Sequence, residues 1–489
     1  MGASRTRPVV VAIAVSLLVS SVVVPRTAPM TASTLGGGRY IVAFDGAVPA
    51  DLASRVQAAG GRIVDVVEAG GFAVADGLTA SSAEALRRLP GVSGIQPDII
   101  VGPAPAEVGD VRAIAEPAPC DPPAKPCYGK RQWNLDLIDA EAAWAQGYRG
   151  HRSVRVAVVD TGIDYNHPDL EGRVDLSPSG SVSLLTHSGE PCLPGTPSTT
   201  ATEEIGWAER DGFREFMDYH SHGTAVAGLI VSKGNWLAGV TEKTTLIAVK
   251  VHGRSRQNCL SVYLRGILEA ADRGADVIHL SFPLEFPREG NEAAITLIDD
   301  TMAYAREKGA VLVAAAGNNT RFVGPSSPQF LFCGALHVVC VSGTAPTSAA
   351  RVNGDWEFVF PETSAPNTNF GPDIDVAGPG GSTASGSNTS VWLLCSRVAV
   401  APLGRPCTLN NVIWSSTGNS FGAAATSGLA ALLVSIVGPD QPAEIERIIR
   451  STATDVLIPP GAAGRDDYYG DGLINVGAAV AEAVEEEGP

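Results

Sequence analysis

The sequence predicts an α/β fold, a parallel sheet sandwiched by helices, preceded by a small α+β unit of ferredoxin-like order. Three observations carry this. From Gln132 onward, short runs apolar on both faces alternate with helical patterns, as strands covered on both sides do. Between Arg39 and Val101 the order is instead strand, helix, strand, strand, helix, strand. Between the two lies GPAPAEVGDVRAIAEPAPCDPPAKPC, too rich in proline and alanine for regular structure and read as a linker open to proteolysis.

The elements follow in order. The opening MGASRTRPVVVAIAVSLLVSSVVVPRTAPMTAS places Arg5 and Arg7 before an apolar run from Pro8 to Val24, the layout of a secretory signal, so residues 1–32 are expected to be removed on export. An uncleaved signal would leave the protein on the cell envelope; only then is a membrane partner expected. In the first unit, RYIVAF reads as a strand and ADLASRVQAAGG as a helix. RIVDVVEAGGFAVADG reads as two strands around Gly70 and Gly71, SSAEALRRLPG as a helix, and SGIQPDIIV as a strand. The organisation is therefore a unit at 39–101, a linker at 102–130 and a large domain at 131–485.

In the large domain SVRVAVVD, TTLIAVKV, ADVIHLSF, GAVLVAAAGN and HVVCVSGT read as strands. SVYLRGILEAADRG and ITLIDDTMAYAREKG read as helices stopped by Gly274 and Gly309. SSTGNSFGAAATSGLAALLVSIVGPD holds a helix from about Ser420, greasy on every side and hence buried, stopped by Gly438 and Pro439. Ligands of such sheets meet the carboxyl ends of the strands, where Asp160, Ser281 and Asn318 all fall.

Composition narrows the function. A formal charge of -17 repels a phosphate backbone, so no nucleic-acid partner is expected. The 489 residues, 45% of them hydrophobic, are ample for a large core. Eight cysteines in an exported chain favour disulfides, since no CxxC pair offers metal-ligand spacing. Cys120 with Cys127 and Cys395 with Cys407 are the preferred pairs. Cys192, Cys259, Cys333 and Cys340 stay open between pairing and free buried thiols.

Individual residues divide between chemical and structural readings. Asp160, in VVDTGIDYNHPDL, would have its carboxylate buried and in need of a partner, yet Asp before Thr-Gly also caps turns. Asp164 and Asp169 read as turn residues. In MDYHSHGTAVAGLI, a zinc hydrolase of HxHxDH form would need Asp and His where Thr224 and Ala225 stand, so no metal site is expected. His222 precedes Gly223, Thr224 and Ala225, whose small side chains let backbone and substrate come close; it is taken as functional and His220 as incidental. Ser420 at a helix start is by itself an N-cap as readily as a hydroxyl aimed at the positive end of a macrodipole. The acidic turn at Asp466, Asp467 and Asp471 lacks calcium-loop spacing and reads as solvated loop.

Together, DTGID, HGTAVAG and GNSFGAA, in the order Asp, His, Ser, resemble the three signature blocks of the subtilisin-like serine peptidases, the subtilases, whose triad order is a worked example of convergence. AAAGN, QWNLDLIDAEAAW and YGDGLINVGAAV extend the resemblance. It implies a subtilisin-like fold and serine endopeptidase activity through an acyl-enzyme. Ser420 would be the nucleophile, His222 the general base, and Asp160 the group that fixes the imidazole. Asn318 would be the side-chain donor to the oxyanion. Ser281, Phe282 and Pro283 are similar to the strand that pairs with extended polypeptide substrates. No cofactor is implied for catalysis, and structural calcium stays open. The 39–101 unit is similar to the inhibitory, inhibitor I9-like propeptide of the family, which makes the chain's own propeptide an intramolecular partner.

The chain departs from the family at Asn419, where threonine is usual and whose larger side chain is expected to press on the oxyanion hole. It departs again at Pro283 in place of glycine, and at Phe421-Gly422-Ala423-Ala424, which lacks the usual proline. Segments 175–214 and 343–408 read as insertions that wall the cleft. The alternative to an enzyme is a secreted binding scaffold that keeps the fold without turnover.

Overall fold

The computed structural model of the chain describes residues 38–101, 132–185, 199–254, 258–282, 284–346, 368–382, 389–400, 413–457 and 461–487. The first unit comprises β1 (Gly38–Phe44), α1 (Leu52–Ala58), β2 (Arg62–Val67), β3 (Phe72–Leu78), α2 (Ala80–Arg87) and β4 (Val92–Pro97). Its strands lie in the order β2-β3-β1-β4, all antiparallel, which matches the order read from the sequence. Alternation along each strand splits the sheet into two apolar faces. Val42, Ala73 and Ala75 pack with Leu52 and Val56 of α1 and Leu86 of α2. Ile41, Phe72 and Val74 face the other way, into a core shared with the large domain.

SGIQPDIIV is not one strand. The first ladder stops at Pro97, which has no N–H to extend it, and Ile100–Val101 form a separate strand, β5.

The large domain runs α3 (Trp133–Leu137), α4 (Ala140–Ala145), β6 (Arg155–Asp160), β7 (Val182–Ser183), α5 (Thr199–Asp211), α6 (His222–Ile230), β8 (Thr245–Lys250) and β9 (Asn258–Cys259). Then come α7 (Leu260–Asp272), β10 (Val277–Leu280), β11 (Glu285–Pro287), α8 (Glu292–Glu307), β12 (Val311–Ala315), β13 (Gln329–Leu331) and β14 (Val338–Thr344). The last elements are β15 (Val376–Pro379), β16 (Val391–Leu394), β17 (Ile413–Ser416), α9 (Asn419–Val437), α10 (Pro442–Ser451) and α11 (Val476–Glu487). The main sheet has the order β15-β14-β12-β10-β6-β8-β7 with parallel pairing throughout. Because β6 lies between β8 and β10, the chain adds strands on both sides of it, the kind of switch point at whose carboxyl end such sheets bind ligands.

Residues of β6 alternate between two cores. Val156 and Val158 meet α6 and α9 on one face, while Ala157 and Val159 meet α7 and α8 on the other. Helix α9 is buried from Asn419 to Val434. It is apolar and long enough to cross a bilayer, yet 83% of that window is packed inside the protein. Gly422 lets α9 approach the chain at Gly378, since a Cβ there would sit 2.9 Å from the Gly378 carbonyl carbon.

Cys333 and Cys340 form a disulfide, which settles two of the cysteines left open by the sequence; Cys259 and Cys395 are also disulfide-bonded. The pairings of Cys120 with Cys127 and of Cys395 with Cys407 involve residues outside the described ones, as does Cys192.

Candidate active site

The candidate residues lie at the ends of β6, β10 and β12 and in the first turns of α6 and α9. Asp160 is the last residue of β6 and fully buried, and its Oδ1 accepts a 2.7 Å hydrogen bond from the Thr161 amide. His222 is the first residue of α6, and its Nδ1 lies 2.8 Å from both Asp160 carboxylate oxygens. A carboxylate only accepts, so Nδ1 carries the proton and Nε2 is the basic nitrogen. Burial pushes the Asp160 carboxyl up, but the charge and hydrogen bonds of His222, and after them the nearby His252 imidazole, outweigh it and hold the group well below the usual carboxylate range.

Two local features deliver His222 to this place. Ser221, just before it, takes a left-handed conformation (φ 91°), a strained turn for a residue with a side chain. Gly223, just after it, lies so close to the Gly162 carbonyl that a Cβ would collide with it, and its N–H donates to Thr161 Oγ1 at 2.9 Å. The small residues noted in the sequence thus allow the close approach expected of them. The backbone is pinned by Asp218, whose carboxylate accepts from the amides of His220, Ser221 and Thr224 at 2.9 Å each, and from the hydroxyls of Thr161 and Thr224. His220 has a structural part here, its Nδ1 accepting from the His222 amide at 3.3 Å. Asp164 and Asp169 do hold turns: Asp164 accepts from Asn166, and Asp169 from the amides of Asn235, Trp236 and Leu237.

Ser420 is the second residue of α9 and lines one cleft with Asn318, Ser281, Phe282 and Phe332. The Asn318 side chain is oriented by the Asn419 amide, which donates to its Oδ1 at 3.0 Å and so leaves the NH₂ group as the donor available to the cleft. The expectation that Asn419 presses on this region is not met. Its side chain turns away, donating to the Gly317 carbonyl at 2.6 Å and to Thr368 Oγ1 at 2.8 Å, so that it braces the loop carrying Asn318. Room for it comes from Gly343, where a Cβ would run into its amide.

Ser281 and Phe282 follow β10 directly, and Pro283 lies outside the described residues. Ser281 donates to His279 Nε2 at 2.6 Å, and His279 Nδ1 lies 2.9 Å from Ser427 Oγ, whose own proton goes to the Ala423 carbonyl. His279 is therefore neutral, and full burial pushes its pKa down to about 3. A second strand edge, which the sequence did not reveal, is occupied: β5 pairs antiparallel with β9, Ile100 opposite Cys259 and Val101 opposite Asn258. No group of acidic, histidine and cysteine side chains suited to a metal ion occurs among the described residues.

The Asp160–His222 pair stands at the end of β6, and Ser420 and Asn318 line a cleft at the ends of β10 and β12, so these residue types lie along the carboxyl edge of one parallel sheet, where a serine-nucleophile hydrolase keeps them. The chain belongs to the subtilase family, whose model matches residues 151–472. It is 28% identical over 330 residues to a thermophilic serine proteinase of Bacillus sp. (strain AK1), covering 67% of this chain and 61% of that one. It is 28% identical over 284 residues to thermitase of Thermoactinomyces vulgaris, covering 57% and 81% of the two chains. The chain thus spans about three fifths of the Bacillus relative's length. Among solved structures it resembles fervidolysin from Fervidobacterium pennivorans, a keratinolytic enzyme (TM-score 0.63, 20% identity, 94% of this chain and 62% of that one). It also resembles the epidermin leader peptide processing serine protease of Staphylococcus aureus (TM-score 0.64, 18% identity, 91% and 98%). At these identities the structural likeness establishes the fold.

Proposed function

We propose that the protein is an exported serine endopeptidase that hydrolyses extended polypeptides through an acyl-enzyme and is made as a zymogen restrained by its own 39–101 unit. The observation that carries this reading is the 2.8 Å contact of His222 Nδ1 with both oxygens of Asp160 at the end of β6, in a chain whose Ser420 and Asn318 line one cleft at the ends of β10 and β12. In the proposed reaction His222 Nε2 takes the Ser420 proton as Oγ attacks the scissile carbonyl. The same proton then passes to the leaving amine, and water repeats the sequence to release the acid. Asp160 keeps the proton of the neutral imidazole on Nδ1 and stabilises the imidazolium. Asn318 receives the oxyanion, a contribution of roughly 3–4 kcal/mol to the barrier.

The zymogen reading rests on β5, which lies along the β9 edge as an added strand, the way an extended peptide binds a sheet. The protein is tested with a serine-directed phosphonate. Processed wild-type protein is expected to label and the Ser420→Ala protein not to label. Equal labelling of the two, or none of the processed wild type, refutes the peptidase reading and favours the binding scaffold.

A further inference from the structure

Asp160 has a second imidazole beside it. His252, two residues beyond the end of β8, is fully buried, and its Nε2 stands 3.9 Å from Asp160 Oδ1. The distance is too long for a hydrogen bond and close enough for charge and dipole to act. The ring is held from behind, since its Nδ1 lies 2.9 Å from the hydroxyl of Tyr263 on α7. Phe282, on the cleft wall, meets the His252 ring edge-on at 6.4 Å and the Tyr263 ring at 4.4 Å. The Val251 amide bonds the Asp160 carbonyl at 3.0 Å, which ties the two backbones together.

The tautomer follows from the surroundings. A lone pair on Nε2 would face a buried carboxylate, an unfavourable arrangement, whereas an N–H there points its positive end at the charge. Nε2 therefore carries the proton and Nδ1 accepts from the Tyr263 hydroxyl. We infer that His252 is a positioning residue for the reaction, drawing part of the Asp160 charge to the side away from His222 and so lowering the basicity of the catalytic imidazole. This rests on the peptidase reading of the site.

Other charged and titratable groups among the described residues also bear on this balance. On His222, besides Asp160, act His220, whose ring centre is 6.4 Å away, and the neutral His279 on β10. Lys250, in register with Asp160 on β8, directs its ammonium to Glu204 at 2.7 Å and to the Met217 carbonyl. Asp218 is engaged with amides and hydroxyls of the α6 entry. Among the described residues, the titratable groups that face His252 include Asp160 from β6 and Tyr263 from α7.

The test uses the full chain with Ser420→Ala and ¹³C-labelled histidine, following the His222 ring by NMR from neutral to acidic pH. His252→Gln keeps an N–H where Nε2 was; His252→Asn withdraws it. His252→Asn is expected to raise the His222 midpoint by about half a pH unit, with His252→Gln staying close to the parent. Tyr263→Phe, which frees the tautomer, is expected to raise it less and gives a milder perturbation of packing. An unchanged midpoint in both His252→Asn and Tyr263→Phe, or equal shifts in His252→Gln and His252→Asn, overturns the inference. Failure of the wild type to label with phosphonate would overturn the peptidase reading instead, and the titration would stand by itself.

Discussion

In the proposed reaction two buried side chains, Asp160 and His222, set the chemistry, and their protonation fixes how activity follows pH. Because the base must be neutral, kcat/KM is expected to fall as pH drops through the His222 titration; a flat profile from neutral to acidic pH contradicts the assignment. Asp160 behaves oppositely to a strained buried acid. Its pKa is depressed on folding, so its contribution to stability is present above the unfolded value of about 4 and is lost as pH falls through the folded one. Asn318→Ala is expected to lower kcat by roughly 10²–10³-fold with little change in KM, since its amide meets the oxyanion only as it forms. The proposed catalytic residues could be singled out in the sequence because each sits in its own short run of small residues, DTGID, HGTAVAG or GNSFGAA. Asp218 and His252 were not, because their meaning lies in what they face: an Asp four residues before a histidine, or a His after a strand, carries no signal until the fold brings it to Thr161 or Asp160.

Helices α6 and α9 carry His222 and Ser420 in their first turns, and both depend on close backbone approach. Gly223→Ala forces α6 away from the Gly162 carbonyl and is expected to reduce kcat severely while the fold persists, checked by circular dichroism beside peptide hydrolysis. The insertion helix α5 has a different anchor. Glu204 is buried against Lys250 and accepts from the Arg254 amide at 2.7 Å, and Trp207 meets Tyr219 edge-on three residues before His222. Removing one partner leaves a buried charge alone, so Glu204→Ala in the Ser420→Ala chain is expected to cost about 3–5 kcal/mol in urea unfolding. A loss under about 1 kcal/mol would show that α5 does not hold the approach to His222. The hydrophobic periodicity that located α7, α8 and α9 says little about α5, because the residues that seat it are a glutamate and a tryptophan whose partners, Lys250 and Arg254, lie some 50 positions away.

At the scale of the whole molecule the first unit is an extra layer on the sheet's α7–α8 face. Its Phe72 and Val74 share a core with Leu264 and Leu268, and Asp65 is paired with Arg265 at 2.5 Å. Asp98 is the hinge of this contact. It caps the start of α7 by accepting from the Ser261 amide at 3.0 Å and hydroxyl at 2.6 Å, and Arg39 lies 3.2 Å from its Oδ2. Burial raises its pKa against the lowering by Ser261 and Arg39. A carboxyl raised by docking stabilises the docked state fully below its free value of about 4, and that contribution is lost as pH rises through the docked one. This group therefore tightens the complex on acidification and opposes release by acid. With the linker cut in the Ser420→Ala chain, dissociation of the first unit, followed by size-exclusion chromatography, is expected to be slower at pH 5 than at pH 8. Asp98→Asn, which cannot titrate, is expected to flatten that difference. Faster dissociation at pH 5 in the parent, abolished by Asp98→Asn, would reverse the sign and make Asp98 an acid trigger for activation.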